Sequence, residues 1–302
     1  MELTNYSRIE KAVDIQLLKR THIIGVGAGG AYCLYDSFAR SGLGQLTVLD
    51  FDQVEEVNIT RQGYNSGQIG KDKVKALGEH LRNINEGLIY TGITDNFLDM
   101  SNAELDKIFG SADLFLFLTD SFYAQTFGNK LALRYKKPAI WAGFYENSRC
   151  AEIVFTIPGV TPACFRCAVS PRYKVHEDIK GDPTFAIGYN MIFHSQLLDS
   201  FVGMIAMAIL HNNTTGYEFS GWFGKHWDRN LIQFKVSPVY GTKQGNLFQR
   251  VFEPISDKCF TFNAIWQRIE EERPPKYDYC PDCGGTGNLL HPNPIVEKTN
   301  LS

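Results

Sequence analysis

Residues 25–30 read GVGAGG, and they close a short apolar stretch, residues 22–26. A buried strand that runs into a glycine-rich turn and then opens a helix leaves few folds available. The glycines let the backbone come close to a phosphate, while the helix start offers free N–H groups and the positive end of its dipole. Asp50 ends the next apolar strand, residues 45–50 (QLTVLD), twenty residues after Gly30. A carboxylate at that place accepts hydrogen bonds from ribose hydroxyls. Gly25, Gly27, Ala28, Gly30 and Asp50 are therefore candidate nucleotide-binding residues. This fingerprint points to a nucleotide without saying which one or what is done to it.

The rest of the first half keeps alternating. The pattern predicts a helix over 28–40, stopped by Gly42 and Gly44, and a charged amphipathic helix over 71–83. A core strand at 113–118 (DLFLFL), a helix over 125–135 and a strand at 138–142 follow. That order gives a parallel sheet with helices on both faces. Beyond Ala151 the character changes. Residues 151–159 (AEIVFTIPG) alternate like an antiparallel strand, residues 195–211 form a long apolar helix, and 231–236 (LIQFKV) and 248–255 (FQRVFEPI) read as strands. A last helix is expected over 260–272, before Pro274 and Pro275. The expected fold class is α/β: a Rossmann-like, mostly parallel sheet with helices on both faces and an antiparallel C-terminal extension. The expected division is a nucleotide-binding core over 1–168, a second half over 169–290, and a disordered tail over 291–302.

Composition narrows the class further. Hydrophobic residues make up 44% and charged residues 21%, which excludes general disorder. Thirty basic and 33 acidic side chains leave a net charge of −3, which argues against a nucleic-acid scaffold driven by bulk positive charge. The longest apolar run, residues 201–210, has about half the length a bilayer needs. The first residues lack a basic stretch followed by an apolar one, so no secretory leader is expected and the expected location is cytoplasmic.

Two groups of residues carry the chemistry. The first begins at Asp50 and runs through Asp52, Asn58, Arg61 and Gln62 to Lys73, and it resumes at Asp120 after the core strand. A hydride-transferring enzyme has little use for these cations. A reaction at a triphosphate does, because negative charge grows on the α-phosphate and on the departing pyrophosphate, and placed Arg and Lys donors stabilise it. A carboxylate at Asp120 can hold Mg²⁺ between phosphates. The second group is Cys164-Phe-Arg-Cys167 and Cys280-Pro-Asp-Cys283, four of the seven cysteines. Two such knuckles fit a tetrahedral structural Zn²⁺ site. The alternatives are a redox dithiol or free surface thiols, but both pairs adjoin proline or glycine turns rather than a βα redox turn. Cys33, Cys150 and Cys259 read as small buried hydrophobes. The aromatic stretch 217–227 reads as strand and turn packing before partner docking.

Taken in order, the glycine loop, Asp50-x-Asp52, Asn58-x-x-Arg61-Gln62, the Lys73 helix and Thr119-Asp120 resemble the ThiF/MoeB and ubiquitin-activating superfamily of adenylyltransferases. The resemblance covers about residues 20–168 and returns weakly at the apolar helix and the last cysteine pair. It implies ATP-dependent adenylation of the C-terminal carboxylate of a small ubiquitin-like or sulfur-carrier protein. Asp50 would bind ribose, Asn58, Arg61 and Lys73 would hold phosphates, Asp120 would hold Mg²⁺, and the cysteines would hold zinc. It further implies a homodimer in which Arg8 reaches the partner copy's ATP, a mobile crossover loop over 168–189, and a downstream conjugating partner. No cysteine lies between Cys167 and Cys259, so adenylation is better supported than thioester transfer. Insertions over 212–275 lean toward a bacterial ubiquitination-like, phage-defence pathway. The competing readings are adenylation of a tRNA-bound carboxylate or short peptide, and a non-catalytic partner-binding homologue.

Overall fold

The computed structural model describes residues 5–145, 147–179, 188–224, 227, 229–235, 264–267, 280–284 and 289–290. Eight strands are described: β1 (His22–Val26), β2 (Gln45–Leu49), β3 (Ile89–Ile93), β4 (Leu114–Phe117), β5 (Ala139–Tyr145), β6 (Cys150–Thr156), β7 (Leu231–Lys235) and β8 (Ala264–Gln267). They form one sheet in the order β3-β2-β1-β4-β5-β6-β7-β8. The first five are parallel, and β6, β7 and β8 are added antiparallel.

Among the described residues eight α-helices accompany them: α1 (Ile15–Arg20), α2 (Tyr32–Arg40), α3 (Lys73–Ile84), α4 (Asn102–Phe109), α5 (Phe122–Tyr135), α6 (Phe165–Ala168), α7 (Ser170–Ile179) and α8 (Ile192–Leu210). Successive strand residues point to opposite faces, and both faces are buried here, so the core strands are apolar throughout. On β4, Leu114 and Leu116 join the core that includes α2, α3 and α8 residues. Phe115 and Phe117 join the other core, with residues of α4, α5 and α6. Trp141 on β5 stacks between Phe117 (5.4 Å) and Phe165 (4.9 Å).

Several boundaries differ from the sequence reading. The first helix of the alternating unit begins at Tyr32 rather than Ala28, because Gly27 takes φ +101 and residues 27–31 are spent on the loop. Helix α5 begins at Phe122 rather than Gln125, capped by Ser121, whose Oγ accepts the Ala124 N–H at 3.3 Å. Strand β3 was not expected. It is an edge strand with mostly exposed side chains, so its sequence has no apolar period. Helix α4 was also missed, although Ser101 and Glu104 form a capping box legible as S-x-x-E.

The C-terminal half needs one correction. Within the expected helix 260–272, residues Ala264–Gln267 pair antiparallel with β7. An open sheet edge offers this Ile-Trp-containing segment backbone partners that outweigh a weak helical pattern. The remainder of that segment, residues 248–255, Cys259 and the tail 291–302 lie outside the described residues. Part of the expected crossover loop is helical, as α7. From the 217–227 stretch, Phe223 and Trp227 pack toward the core, 5.0 Å and 6.3 Å from the Phe155 ring.

Among the described residues, α8 alone is long and apolar enough to cross a membrane. It is instead built into the core. Leu198, Val202, Ile205 and Ala206 are buried in the α2 and α3 cluster, where a helix that is apolar all round belongs.

Candidate active site

The strand order reverses at β1, with β2 on one side and β4 on the other. In an open α/β sheet the ligand crevice lies at that switch, outside the carboxyl ends of the strands. A cleft of about 250 Å³ sits there, and Gly27, Gly29, Gly30, Asp50, Asp52, Arg61, Gln62, Lys73 and Asp120 all line it. Gly27 is required by geometry. Its φ is +101, and a β-carbon there would collide with the Leu118 carbonyl oxygen of the neighbouring strand. A β-carbon on Gly29 would lie 3.0 Å from Gln62 Nε2.

The loop is held from below. Asp50 Oδ2 accepts the Ala28 N–H at 2.6 Å, and Oδ1 accepts the Asp52 N–H at 2.9 Å. Burial pushes the Asp50 carboxyl above its ordinary range, and the Ala28 hydrogen bond opposes this. Lys73 opens α3, and its Nζ donates to Asp52 Oδ2 at 2.7 Å. The lysine side chain is 7% exposed and the aspartate 53%, so the ammonium is fixed and the carboxylate is free to swing to water. Arg61 follows a turn that is pinned from α8, where Ser195 Oγ donates to the Arg61 carbonyl at 3.3 Å. Asp120 lies exposed just beyond β4, before the Ser121 cap of α5.

Four sequence candidates do not line the cleft. Asn58 is buried, and its Oδ1 accepts the Glu55 N–H at 2.9 Å, so it ties the turn that carries Arg61. Gly25 sits in β1, where a side chain would overlap Tyr35. Ala28 contributes its N–H to Asp50 from behind the loop. Arg8 is exposed and is not among the residues that line its own chain's cleft.

The sequence reading missed the far half of the cleft, which β5, β6, α7 and α8 supply. Gly143, Tyr145, Glu152, Arg172 and Asp199 line it. Glu152 accepts the Tyr145 hydroxyl at 2.9 Å and the Gln233 amide at 2.6 Å. Burial raises its carboxyl, while the Arg172 charge opposes that. Asp199 accepts the Leu34 N–H at 3.1 Å, and burial holds its carboxyl well above the usual range. The sequence carries one unread signal for each, an acid inside an otherwise apolar segment, AEIVFT and LLDSFV. Clustered perturbed acids in one cleft are a signature of functional sites.

Beside Asn129 of α5, the ligand atoms of Cys164, Cys167, Cys280 and Cys283 all lie within 4.8 Å of one another. Cys164 and Cys280 Sγ are 3.9 Å apart, and those of Cys167 and Cys283 are 3.5 Å apart. Tetrahedral zinc with ~2.3 Å Zn–S bonds needs sulfurs ~3.8 Å apart. The cluster therefore fits zinc. Buried Asn129 braces it: Nδ2 donates to Asp282 Oδ2 at 2.8 Å and lies 3.7 Å from Cys164 Sγ, while Oδ1 accepts the Phe165 N–H at 3.0 Å. The pairing also fastens the 280–284 segment onto the sheet domain.

The sequence profile of the ThiF family matches residues 6–214. The chain belongs to the ThiF family. This ThiF-family chain is 32% identical over 155 residues to ubiquitin-like modifier-activating enzyme 5 of Gallus gallus, a match covering 48% of this chain and 38% of that protein. It is 35% identical over 170 residues to the enzyme of the same name in Drosophila erecta, covering 53% and 41%. The matches thus span about two fifths of the length of these curated relatives. Its fold is similar to that of E. coli MccB in complex with AMPCPP and MccA, with a TM-score of 0.56 at 20% identity, covering 74% of this chain and 62% of that chain. MccB with ATP superposes equally well, at 0.56 and 21% identity, covering 73% and 62%. At such identities the likeness is one of fold.

Proposed function

We propose that this ThiF-family chain uses ATP to adenylate the C-terminal carboxylate of a ubiquitin-like or sulfur-carrier protein or a peptide, releasing pyrophosphate. The observation that carries the reading is that Asp50, Arg61, Lys73 and Asp120 converge on one cleft at the switch point of the sheet. The ribose would lie against Asp50 and the phosphates over the glycine loop. A carboxylate oxygen of the substrate attacks the α-phosphorus, a P–O bond forms, and the bond to pyrophosphate breaks. The nucleophile arrives ionised, so no general base is needed. Arg61 and Lys73 stabilise the charge that moves onto the leaving group, and the buried Lys73 does so without reorganisation.

Asp120, a carboxylate at the cleft, suits Mg²⁺, which would neutralise phosphate charge when bound. We place the protein in the cytoplasm as a homodimer, with Arg8 serving a second copy's cleft and a conjugating protein downstream. A place in a bacterial ubiquitination-like, phage-defence pathway is the wider setting we favour. The peptide acceptor is kept beside the ubiquitin-like one because of the fold shared with MccB, whose structures include one with MccA.

The test is ATP–pyrophosphate exchange by the full chain with candidate ubiquitin-like proteins and peptides. Arg61→Ala, Lys73→Ala and Asp120→Ala should each lower exchange by about 10²–10³-fold, the usual loss for one preorganised electrostatic donor. Exchange that needs no acceptor, or that survives all three substitutions, would overturn the assignment.

A further inference from the structure

A glycine loop holds a phosphate through N–H groups that point outward, and that direction depends on where its carbonyls are tied. In a trans peptide the C=O and the N–H point opposite ways, so a carbonyl held on the inner side turns the next N–H outward. Two buried tyrosines supply such ties. Tyr35 of α2 donates its hydroxyl to the Gly27 carbonyl at 2.8 Å, and the N–H of the same peptide, that of Ala28, is held by Asp50. The 27–28 peptide is thus anchored at both ends. The 28–29 peptide has its anchor at the carbonyl, which accepts the Tyr64 hydroxyl at 2.8 Å. Its N–H belongs to Gly29, which lines the cleft.

Tyr64 reaches further than the loop. Its single proton is shared with the Lys73 carbonyl at 3.3 Å, so one hydroxyl joins the loop to the first residue of α3. That residue carries the buried ammonium of the cleft. The Tyr64 ring is set by Tyr32 at the start of α2, and the two rings meet edge-on with centroids 4.7 Å apart. A β-carbon on Gly63 would collide with the Tyr32 ring, so the glycine lets the chain bring Tyr64 in behind the loop. Tyr64 is 4% exposed, and burial pushes its phenol well above the ordinary range, so it stays a donor. Phenylalanine would fill the same space. What the hydroxyl adds is the bond to two carbonyls, one on each side of the phosphate site.

Resting on the ATP-dependent reading above, we infer that Tyr64 is a positioning residue for the phosphates: its hydroxyl fixes the 28–29 peptide so that the Gly29 N–H faces the ligand, and ties that peptide to the helix start that bears Lys73.

The test sets Tyr64→Phe beside Tyr90→Phe in the full chain. Tyr90 donates its hydroxyl to the Val74 carbonyl at 2.7 Å, one residue further along α3, and is not among the residues that line the cleft. Each variant keeps its ring and loses a hydroxyl bonded to the first turn of α3, so both should lower the urea midpoint. Calorimetry with ATP, and with adenosine in competition, separates them. Tyr64→Phe should bind ATP about 10–100-fold more weakly, the range for one hydrogen bond to a charged group, and adenosine as before. Tyr90→Phe should bind both as the native chain does. Tyr35→Phe should lose less than Tyr64→Phe, because Asp50 still holds its peptide. On the native chain, amide exchange by NMR should show Gly29 protected once ATP is bound, with Ala28 slow throughout. Undiminished ATP affinity in Tyr64→Phe, an equal loss of adenosine, an equal ATP loss in Tyr90→Phe, or a Gly29 amide that ATP does not protect overturns the inference and leaves adenylation standing. A native chain that binds no ATP overturns the adenylation reading itself.

Discussion

Replacing Gly27 with alanine separates two costs that the structure makes distinct. The first is conformational. At φ +101 the residue lies beyond the left-handed well, so an L side chain costs about 1–3 kcal/mol. The second is steric. The new β-carbon would overlap the Leu118 carbonyl oxygen and sit 2.9 Å from its carbon. Both strands are anchored at this point, since Gly27 N–H donates to the Leu49 carbonyl at 2.9 Å and Leu118 N–H donates to the Val26 carbonyl at 2.8 Å. Relief therefore stretches ladder bonds, and overpacking of this kind costs about 1–3 kcal/mol. The sum is about 2–6 kcal/mol against a usual total of about 5–15 kcal/mol, so the variant folds but is clearly weakened. Gly159 isolates the first cost, because its φ is +73 and a β-carbon there meets nothing within 4 Å. Gly159→Ala should lose only about 1 kcal/mol. Urea unfolding followed by tryptophan fluorescence, with ATP affinity by calorimetry, reads both. If Gly27→Ala unfolds at the same midpoint as Gly159→Ala and keeps its ATP affinity, the close approach of loop and strand is not what fixes this glycine.

Further outcomes follow from the cysteine cluster and the buried acids. The purified chain should carry one zinc per molecule by atomic absorption, and Cys283→Ser should lose it to a chelator that the native chain withstands; a metal-free native chain would refute the assignment. Asn129→Ala removes donors or acceptors from Asp282, Cys164 and the Phe165 amide at a buried position. It should cost about 2–3 kcal/mol and speed zinc release, and a neutral result in both would show the brace is idle. Asp199 is held by burial well above the ordinary carboxylate range of about 3.9. Its contribution to stability is therefore greatest below that range and is lost as pH rises through the raised native value. Asp199→Asn should be more stable than the native chain at neutral pH and show a flatter stability profile between acid and neutral pH. An unchanged slope would mean that the carboxyl titrates normally.

The nucleotide end was legible because its chemistry is local. Each element there is a strand end plus the few residues after it, and Gly27, Asp50 and Asp120 each follow an apolar run by one or two residues. Arg61 and Lys73 lie further from a strand end and were found as cations ordered between Asp50 and Asp120. Asn58 shows the limit of spacing: an asparagine that ties a turn and one that touches a phosphate occupy the same place in the sequence, and only the Glu55 hydrogen bond tells them apart. Strand β8 was misread because its pairing with β7 is a tertiary event that its own residues barely announce. The far half of the cleft was illegible for a related reason. Glu152 meets Gln233 across 81 positions, and Ser195 meets the Arg61 carbonyl across 134. No local window contains both members of either pair.

The two ends of the cleft are also held by different means. The nucleotide end rests on the parallel sheet, where backbone ladders fix Gly27 and Asp50 directly. The Arg172 end rests on α6 and α7, and α6 is a four-residue turn that is capped by Cys164 and contains Cys167. So short a helix has little stability of its own. Its order comes from the cysteine cluster on one side and from Phe165 stacked on Trp141 on the other. Arg166 adds a link: its guanidinium lies over the Tyr173 ring at 4.5 Å and contacts Asp282 at 3.4 Å. Arg172 stands five residues past Cys167 on this same support. A metal held by the four thiolates would therefore lie outside the cleft lining yet steady the wall that carries Arg172, while the glycine-loop wall rests on the sheet.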